Sequence, residues 1–457
     1  MLLADRVESF LTQRPYCVLV RAALQRMLDP AQLDQMFRDT ATRQNERELL
    51  FSALVEVMAL VVTRVEPSVL ASYRSLRDVL GVSDEAVYQK LRGVETGVSE
   101  ALVRESFVTA CQVLKELKAC DEPWVPSLRV KILDGNYLQK TQRRIAELRT
   151  MWDAPLPGRA LVVWNQQTRL LERVFLTEHG LASERSLLDR VLETVEADEL
   201  WIADRNFCTL GFLFGLADRD ARFVIRQHGQ LQGKPHGERR RAGQTAKGEP
   251  LWEQEVRIHW QGRERTVRRI TVELQQPTRD GDRELHIFTN LTEEEADAAK
   301  VAELYGRRWT IEVVFLELQT ALSCEVETLG YPKAALFAFC VALLLQNTFS
   351  MLGGSLRSAH GTEKVDSEVS GVLLAQEVRK AYDGMMVQIP PPYWEELSTM
   401  SLTEYAQRLK DWAARIDLTR YRKTPRGPNR SPPQRKPRSP GGRISTATIL
   451  SQRKTKK

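Results

Sequence analysis

The spacing of hydrophobic residues changes character several times along this chain of 457 residues. Up to about residue 120, apolar positions recur at helical intervals, as at Leu50, Leu54, Val57 and Met58, and strong helix breakers are few. This spacing is typical of amphipathic helices that pack on one another. It predicts an all-α N-terminal domain over residues 1–122.

One short segment of this domain has the features of a DNA-contacting helix. Ser83 can cap a helix over residues 84–92, which ends in basic residues. The segment could be the second helix of a helix-turn-helix motif, whose recognition helix enters the major groove. The alternative is an ordinary short capped helix, which is common in proteins of every kind.

After Trp124 the pattern changes to short runs rich in β-branched and aromatic residues. Strands are predicted at residues 130–134, 160–164 and 173–176, followed by a helix at 186–195 and a strand at 199–204. Asp134 and Asp204 fall at the ends of two of these strands. The order of three strands, a helix and a strand predicts a mixed α/β unit.

Residues 223–290 are rich in strands again, with alternation of apolar and polar residues at 256–260. Helical spacing then covers residues 293–322. A β-rich stretch between an α/β half and a long helix indicates an insertion at about residues 223–290. Its glycine-rich segment 228–250, which contains Arg239, Arg240 and Arg241, is predicted to be a mobile loop between strands.

The remainder of the chain predicts a helical C-terminal region over residues 351–418. The longest apolar run, residues 336–345, is about half the length of a membrane span and is predicted to be a buried helix. No signal-peptide pattern is evident, so a cytoplasmic protein without a membrane partner is expected. Residues 419–457 are proline-rich and basic, which predicts a disordered tail.

Composition and charge narrow the possibilities. Hydrophobic residues make up 42% of the chain and charged residues 28%, as in folded globular proteins. The net charge is +6, yet residues 420–457 alone carry thirteen Lys or Arg and no Asp or Glu, so the first 419 residues have a net charge of −7. Six cysteines without close pairing argue against a zinc ribbon or a disulfide framework. The tail is therefore the candidate electrostatic contact for a polyanion.

Three acidic residues stand out as candidate metal ligands. Asp134, followed by Gly135, and Asp204 each close an apolar strand, where an unpaired carboxylate is costly to bury. The alternative for each aspartate is a cap of the following turn. In the third segment, helical geometry places Tyr305, Arg308 and Glu312 on one face, because each residue turns the helix by about 100°. The alternative there is an ordinary Arg308–Glu312 ion pair within one helix.

The third segment resembles the Tyr-(two)-Arg-(three)-Glu-(six)-Lys signature of the bacterial insertion-sequence transposases of group four. Tyr305, Arg308 and Glu312 match this signature at the required spacing. Asp134 in Ile-Leu-Asp-Gly and Asp204 in Ala-Asp-Arg match the contexts of the family's first and second aspartates. The lysine of the signature is replaced by Gln319, whose neutral amide cannot attract a phosphate by its charge.

The resemblance implies a fold as well as an activity. It implies an α/β, ribonuclease-H-like catalytic domain over residues 123–350, interrupted by the β-rich insertion. It also implies a DDE transposase, an endonuclease and strand transferase whose catalytic and metal-binding residues are Asp134, Asp204 and Glu312. Two Mg²⁺ ions, which Mn²⁺ can replace, are the expected cofactors. Tyr305 and Arg308 are expected to bind a DNA phosphate.

The same resemblance implies the partners: double-stranded DNA with terminal inverted repeats, target DNA and a second copy of the chain in the DNA complex. Such a protein would act on the bacterial nucleoid. Some members form a DNA hairpin and flip a base against aromatic side chains. Trp252, Trp260 and Trp309 are candidates for such contacts, although tryptophan in strands and helices is more often part of a core.

Two other functions stay open from the sequence. One is a catalytically inactive, transposase-derived protein that only binds DNA, although such a protein would have no use for all three carboxylates. The other is a structure-selective nuclease that cuts DNA without rejoining it. Inverted repeats in the DNA that flanks the reading frame would favour the mobile-element enzyme.

Overall fold

The protein folds around one large mixed sheet and an extensive body of helices. The structure is a computed structural model that describes residues 2–44, 48–138, 158–231, 233–278, 281–326, 329–389, 391–424, 445–447 and 451. The α/β class predicted from the sequence is confirmed. Its elements follow in chain order.

The helices are α1 (Leu2–Gln13), α2 (Pro15–Met27), α3 (Pro30–Thr40), α4 (Phe51–Val62), α5 (Val69–Leu80), α6 (Asp84–Gly93), α7 (Thr96–Glu116), α8 (Leu188–Leu192), α9 (Leu210–Ala217), α10 (Ala298–Gly306), α11 (Trp309–Ala321), α12 (Pro332–His360), α13 (Thr362–Glu368), α14 (Gly371–Gln388), α15 (Glu395–Thr399) and α16 (Leu402–Ala414). The strands are β1 (Arg129–Tyr137), β2 (Arg159–Asn165), β3 (Leu170–Thr177), β4 (Glu199–Ala203), β5 (Arg222–Arg226), β6 (Lys234–Gln244), β7 (Pro250–Trp260), β8 (Arg263–Glu273) and β9 (Glu284–Thr289).

The sheet has nine strands in the order β3-β2-β1-β4-β5-β9-β8-β7-β6. The central strands β1, β4 and β5 run parallel to one another, whereas β2 and β3 are antiparallel to their neighbours. Parallel strands end at the same edge of a sheet. The structure therefore brings the carboxyl ends of β1, β4 and β5 together at one edge.

The β-rich stretch after residue 223 continues the central sheet, because β9 pairs with both β5 and β8. It differs from the sequence prediction in one segment. Residues 234–244, predicted to lie in a mobile loop, form strand β6 and pair with β7. Nearly every residue of β6 is exposed, so it lacks the alternation of buried and exposed positions from which a strand is predicted.

The N-terminal and C-terminal helices share one hydrophobic core rather than forming separate units. Helix α12 lies at its centre, and α7 packs on both α12 and strand β3. Helix α12 is long and apolar enough to cross a bilayer, but 89% of its most apolar stretch is buried inside the protein. The prediction of a buried helix at residues 336–345 is confirmed.

Ser83 caps α6 by accepting a hydrogen bond from the backbone N–H of Ala86, 3.2 Å away.

The segment predicted as one helix from residue 293 to 322 is interrupted. Helix α10 ends at Gly306 and α11 begins at Trp309. Between them the backbone N–H of Arg308 donates to the carbonyl of Tyr305, at 3.1 Å, so the chain makes a tighter three-residue turn. Glycine has a low helix propensity, and Gly306 supplies the physical reason for a break at this point.

The C-terminal tail begins later than predicted. Residues 418–421 form a short 3-10 helix in which Tyr421 is buried, and the Tyr421 hydroxyl donates to the carboxylate of Glu377. Ser445 is also buried, and its hydroxyl accepts a hydrogen bond from the backbone N–H of Gly180 at 3.2 Å. The prediction of disorder from residue 419 does not hold for these described residues, because Tyr421 and Ser445 are buried and each has a hydrogen-bond partner in the folded body. Residues 425–444, 448–450 and 452–457 of the tail lie outside the described residues.

Candidate active site

Asp134 and Asp204 lie side by side where the parallel pairing of β1 and β4 ends. Asp204 directly follows β4, whereas Asp134 lies within β1 and not at its end as predicted, because β1 continues to pair with β2 as far as Tyr137. In the register of β1 and β4, Leu133 pairs with Ala203, so Asp134 and Asp204 are the next residues on neighbouring strands. Adjacent strands are about 4.8 Å apart. Two carboxylates that are 70 residues apart in sequence are thus neighbours in the fold.

Each aspartate also makes the local contact that a capping role predicts. Asp134 accepts a hydrogen bond from the backbone N–H of Gly135 at 2.9 Å, and Asp204 accepts one from the N–H of Arg205 at 2.7 Å. Asp204 caps the short 3-10 helix Arg205–Phe207. These bonds engage Oδ1 of each carboxylate and help to fix its orientation.

Arg308 joins the first aspartate to the glutamate on α11. Its guanidinium donates to Asp134 Oδ2 at 3.1 Å and to Glu312 Oε1 at 2.7 Å. The Arg308 side chain is only 9% exposed, against 18% for Asp134 and 34% for Glu312. The Arg308–Glu312 ion pair that the sequence spacing allows is therefore present. Arg308 in addition binds Asp134 on the sheet.

Tyr305 connects the remaining aspartate to the same cluster. Its hydroxyl lies 3.4 Å from Asp204 Oδ1, a long hydrogen bond. Burial, followed by the negative charge of Asp204, raises the pKa of Tyr305 to about 12. The phenol is therefore neutral near pH 7 and available as a hydrogen-bond donor.

The pKa of Asp134 is affected by the charges of the other two carboxylates. Burial raises the pKa of Asp134 to about 6, the Arg308 guanidinium opposes that rise, and the charges of Glu312 and Asp204 add to it. Burial lowers the pKa of Arg308, but the surrounding anions, Asp134 first, outweigh it and raise that pKa overall. Three carboxylates around one guanidinium leave the cluster with an excess of negative charge.

This excess suits divalent metal ions. Carboxylates are the hard oxygen ligands that Mg²⁺ prefers, and Asp134, Asp204 and Glu312 supply three of them on a strand, a strand end and a helix. Among the described residues, no three Asp, Glu, His or Cys side chains already stand together in the arrangement of a metal site. The guanidinium of Arg308 instead bridges Asp134 and Glu312. Its buried Nε has no hydrogen-bond partner.

A groove lies next to the chain segment that follows Asp204. Its volume is about 570 Å³, and Cys208, four residues after Asp204, forms part of its wall. Its described lining includes the cations Arg185, Lys234 and Arg257 and no Asp or Glu, together with the side chain of Trp260. A positively charged groove with an aromatic wall suits a nucleic-acid strand.

The three tryptophans singled out in the sequence differ in their surroundings. Trp309, next to Arg308, is 62% exposed, and the Arg308 guanidinium lies 5.7 Å from its ring. Trp260 packs on Phe214 with ring centroids 5.6 Å apart. The ring of Trp252 is covered by the guanidinium of Arg239, 4.9 Å away. Of the three, Trp309 offers the most free surface.

Some residues near the site carry no signal in the sequence. Glu184 and Arg185 form the start of a short 3-10 helix before α8, and both contact Asn206, two residues after Asp204. No motif or periodicity singles out these two residues. Only the preference for Ser at a helix cap, here Ser183, marks the start of their helix.

Comparison with known proteins adds an independent finding. A family model described as "Transposase DDE domain" matches residues 112–344, which is half of the chain and includes all three carboxylates. Among solved structures, the chain resembles a piggyBac transposase synaptic complex with hairpin DNA, determined by cryo-electron microscopy, at a TM-score of 0.40 and 9% identity. That alignment covers 87% of this chain and 84% of the other. No curated protein sequence matches this chain.

Proposed function

Because the chain belongs to the transposase DDE domain family, as the match over residues 112–344 shows, we propose that it is an active DNA transposase whose catalytic residues are Asp134, Asp204 and Glu312. The family typically uses divalent metal ions. In this proposal two Mg²⁺ ions, or Mn²⁺ in their place, bind to the three carboxylates. The substrates are the ends of a mobile element and its target DNA.

One observation carries this proposal: the register that makes Asp134 and Asp204 neighbours, with Arg308 linking Asp134 to Glu312 on α11. The order of the first five strands, antiparallel β3-β2-β1 followed by parallel β4 and β5, supports a ribonuclease-H-like core. Strands β6 to β9 are then the β-rich insertion. A DNA-binding protein without catalysis would have no need for three convergent carboxylates beside a buried arginine.

In the mechanism that this geometry supports, each residue has a distinct task. Metal ions, when bound, would activate the attacking hydroxyl of water or of a DNA 3′ end and stabilise the leaving oxygen of the phosphodiester. Asp134 and Asp204 hold the site on the rigid edge of the sheet, and Glu312 closes it from α11. Tyr305 can donate its hydroxyl proton to a phosphate oxygen. Arg308 can neutralise the same phosphate once its carboxylate partners are shared with metal.

The DNA in this proposal passes from the carboxylates, past the turn after Asp204, into the groove that Cys208 lines. Phosphates there would be neutralised by Arg185, Lys234 and Arg257, while the exposed ring of Trp309 lies beside the catalytic helix. Double-stranded DNA with terminal inverted repeats is the proposed partner, bound by two copies of the chain.

Gln319, which stands where the family signature has a lysine, is exposed on α11. Its neutral amide can donate or accept hydrogen bonds but cannot attract a DNA phosphate by charge.

The proposal is tested by a cleavage assay whose substrate is the reading frame together with the DNA that naturally flanks it. The donor is a supercoiled plasmid that carries the frame with its flanking DNA, incubated with the purified protein and Mg²⁺ or Mn²⁺. We expect breaks at the two ends of the element and joining of those ends to a second plasmid. Binding of the ends without any break, in either metal, would favour the inactive DNA-binding protein. Breaks without joining would favour the nuclease.

The groove gives a separate prediction. Lys234→Gln or Arg257→Gln is expected to weaken binding of the terminal DNA, because each removes one cation that faces the groove. Each lost contact should reduce the slope of log affinity against log salt by about 0.9 on duplex DNA. The measurement is a fluorescence-anisotropy titration at several salt concentrations.

The control for this prediction is Lys115→Gln, which removes the same charge from an exposed position on α7, outside the groove. The control should leave both the affinity and its salt slope close to those of the unmodified protein. Equal effects of all three substitutions would show that net charge, and not the groove, determines binding.

A further inference from the structure

A buried glutamate lies between the two turns that carry the aspartates. Glu184 is 6% exposed, and its Oε2 accepts a hydrogen bond from the side-chain amide of Asn206 at 2.6 Å. Asn206 is two residues after Asp204 in the 3-10 turn that Asp204 caps. A carboxylate removed from water at this position needs a reason, because burial of a charged group is costly unless it makes strong hydrogen bonds.

The next residue holds the same turn from a second side. Arg185 donates from Nε to the backbone carbonyl of Asn206 at 2.7 Å. Residues 184 and 185 therefore hold both the side chain and the main chain of Asn206. The turn after Asp204 is attached to the short helix that begins at Glu184, and it cannot shift without breaking both hydrogen bonds.

Glu184 also lies against the turn that carries the other aspartate. A Cβ atom at Gly135 would lie 2.6 Å from the carboxyl carbon of Glu184, closer than real Cβ atoms approach their neighbours, and 3.0 Å from its Oε2. The Glu184 carboxylate therefore occupies the space that a side chain after Asp134 would need. The carboxylate packs on one aspartate-bearing turn while it binds the other.

From these contacts we propose that Glu184 is a positioning residue that sets the separation of the Asp134 and Asp204 carboxylates, and through it the affinity of the site for divalent metal. This inference rests on the proposed function, since it assigns Glu184 a role toward the metal bound by those aspartates. Groups that orient metal ligands without touching the metal typically change metal affinity or activity by about 10-fold to 100-fold when they are replaced. The hydrogen bond between Glu184 and Asn206 is the contact through which the effect passes.

The test compares Mn²⁺ affinity, measured by electron paramagnetic resonance of the free ion, in four proteins. Glu184→Ala and Asn206→Ala are each expected to weaken Mn²⁺ binding by about 10-fold or more. The double variant should be no weaker than the weaker single variant, because both remove the same contact. If the losses of the two single variants multiply in the double variant, the residues act independently and the proposal is wrong.

A reversed pair provides the rescue. Glu184→Gln combined with Asn206→Asp exchanges the donor and the acceptor, so a carboxylate and an amide still face each other. We expect this pair to restore Mn²⁺ affinity to within about threefold of the unmodified protein, while Asn206→Asp alone places two carboxylates together and weakens it. Failure of the reversed pair to recover any affinity would indicate that the Glu184 charge itself is required, which contradicts a positioning role.

The steric contact is tested at Gly135. Gly135→Ala is expected to weaken Mn²⁺ binding when Glu184 is present and to add nothing in the Glu184→Ala background, where the space is empty. An equal effect of Gly135→Ala in both backgrounds would overturn the link between the two turns. The readout is again the metal affinity of the full chain.

A matched control separates positioning from general loss of stability. Glu377 is also 6% exposed, and it accepts a hydrogen bond from the backbone N–H of Cys17 at 3.0 Å on α2, in the helical body. Glu377→Ala should lower the melting temperature but leave Mn²⁺ affinity unchanged. If Glu377→Ala weakens Mn²⁺ binding as much as Glu184→Ala does, the Glu184 effect is general destabilisation and the proposal is wrong. If the unmodified protein neither binds Mn²⁺ nor cuts DNA, the proposed function itself fails.

Discussion

Asp134→Asn, Asp204→Asn and Glu312→Gln should each lower the rate of DNA cleavage by at least about 1,000-fold, because a metal-bound transition state loses several kcal/mol of charge stabilisation. The amides keep the shape of the carboxylates and remove the charge that holds the metal. Binding of terminal DNA should change little, since these residues contribute no positive charge to it. Cleavage of an end-labelled duplex and anisotropy on the same duplex provide the two measurements.

Glu303→Gln is the matched control for these substitutions. Glu303 lies on α10, two residues before Tyr305, and forms exposed ion pairs with Lys300 and Arg307. Its replacement should leave cleavage within about twofold, because exposed ion pairs contribute little. Parallel loss of binding and cleavage in the three carboxylate variants would instead indicate a structural role for them.

The second large effect is expected at Arg308. Its guanidinium is the counter-ion of Asp134 and Glu312, so Arg308→Ala leaves the largely buried Asp134 carboxylate without a positively charged partner. Removal of one partner of a buried ion pair usually lowers the free energy of unfolding by about 3 to 5 kcal/mol. We expect the lower value here, about 3 kcal/mol, because a third of the Glu312 side chain is exposed to solvent. The melting temperature in the absence of metal should fall accordingly.

Metal should compensate for this loss. In Arg308→Ala the carboxylates have no competing cation, so Mn²⁺ should raise the melting temperature of the variant by more than it raises that of the unmodified protein. Calorimetry with and without Mn²⁺ measures both effects. Equal shifts in the two proteins would show that Arg308 does not compete with metal for Asp134 and Glu312. DNA cleavage by the variant should stay low even when metal restores its stability, because the phosphate contact is lost.

The residues that sequence reasoning proposed for this site were chosen through a family signature. A charged residue that closes an apolar run, or an Arg and a Glu four residues apart, would by itself also fit a cap or an ordinary ion pair. Five residues were selected because together they match the transposase motifs: Asp134, Asp204, Tyr305, Arg308 and Glu312. The sequence could not predict which strands are neighbours, and hence that Leu133 pairs with Ala203. That pairing depends on the packing of the whole sheet.

The features that sequence reasoning missed depend on contacts between distant segments. Glu184 and Asn206 are 22 residues apart, and neither belongs to a periodic pattern. Strand β6 was mistaken for a loop because both of its faces are exposed, and Tyr421 was hidden within a basic tail. In each case the local composition predicts solvent exposure, whereas the observed position depends on contact with one distant segment: Asn206 for Glu184, β7 for β6 and Glu377 for Tyr421.

The exposed strand β6 also has a consequence for assembly. As the last strand of a nine-stranded sheet, it carries backbone groups that could pair with a strand of another molecule. Its pairing with β7 is irregular between His236 and Arg240 and between Arg241 and Gln244, and Gly237 and Gly243 adopt positive φ angles of 82° and 101° there. Such irregularities bend the strand, and adjacent arginines repel a second copy of themselves. These features disfavour the addition of a strand from another molecule at the β6 edge of the sheet.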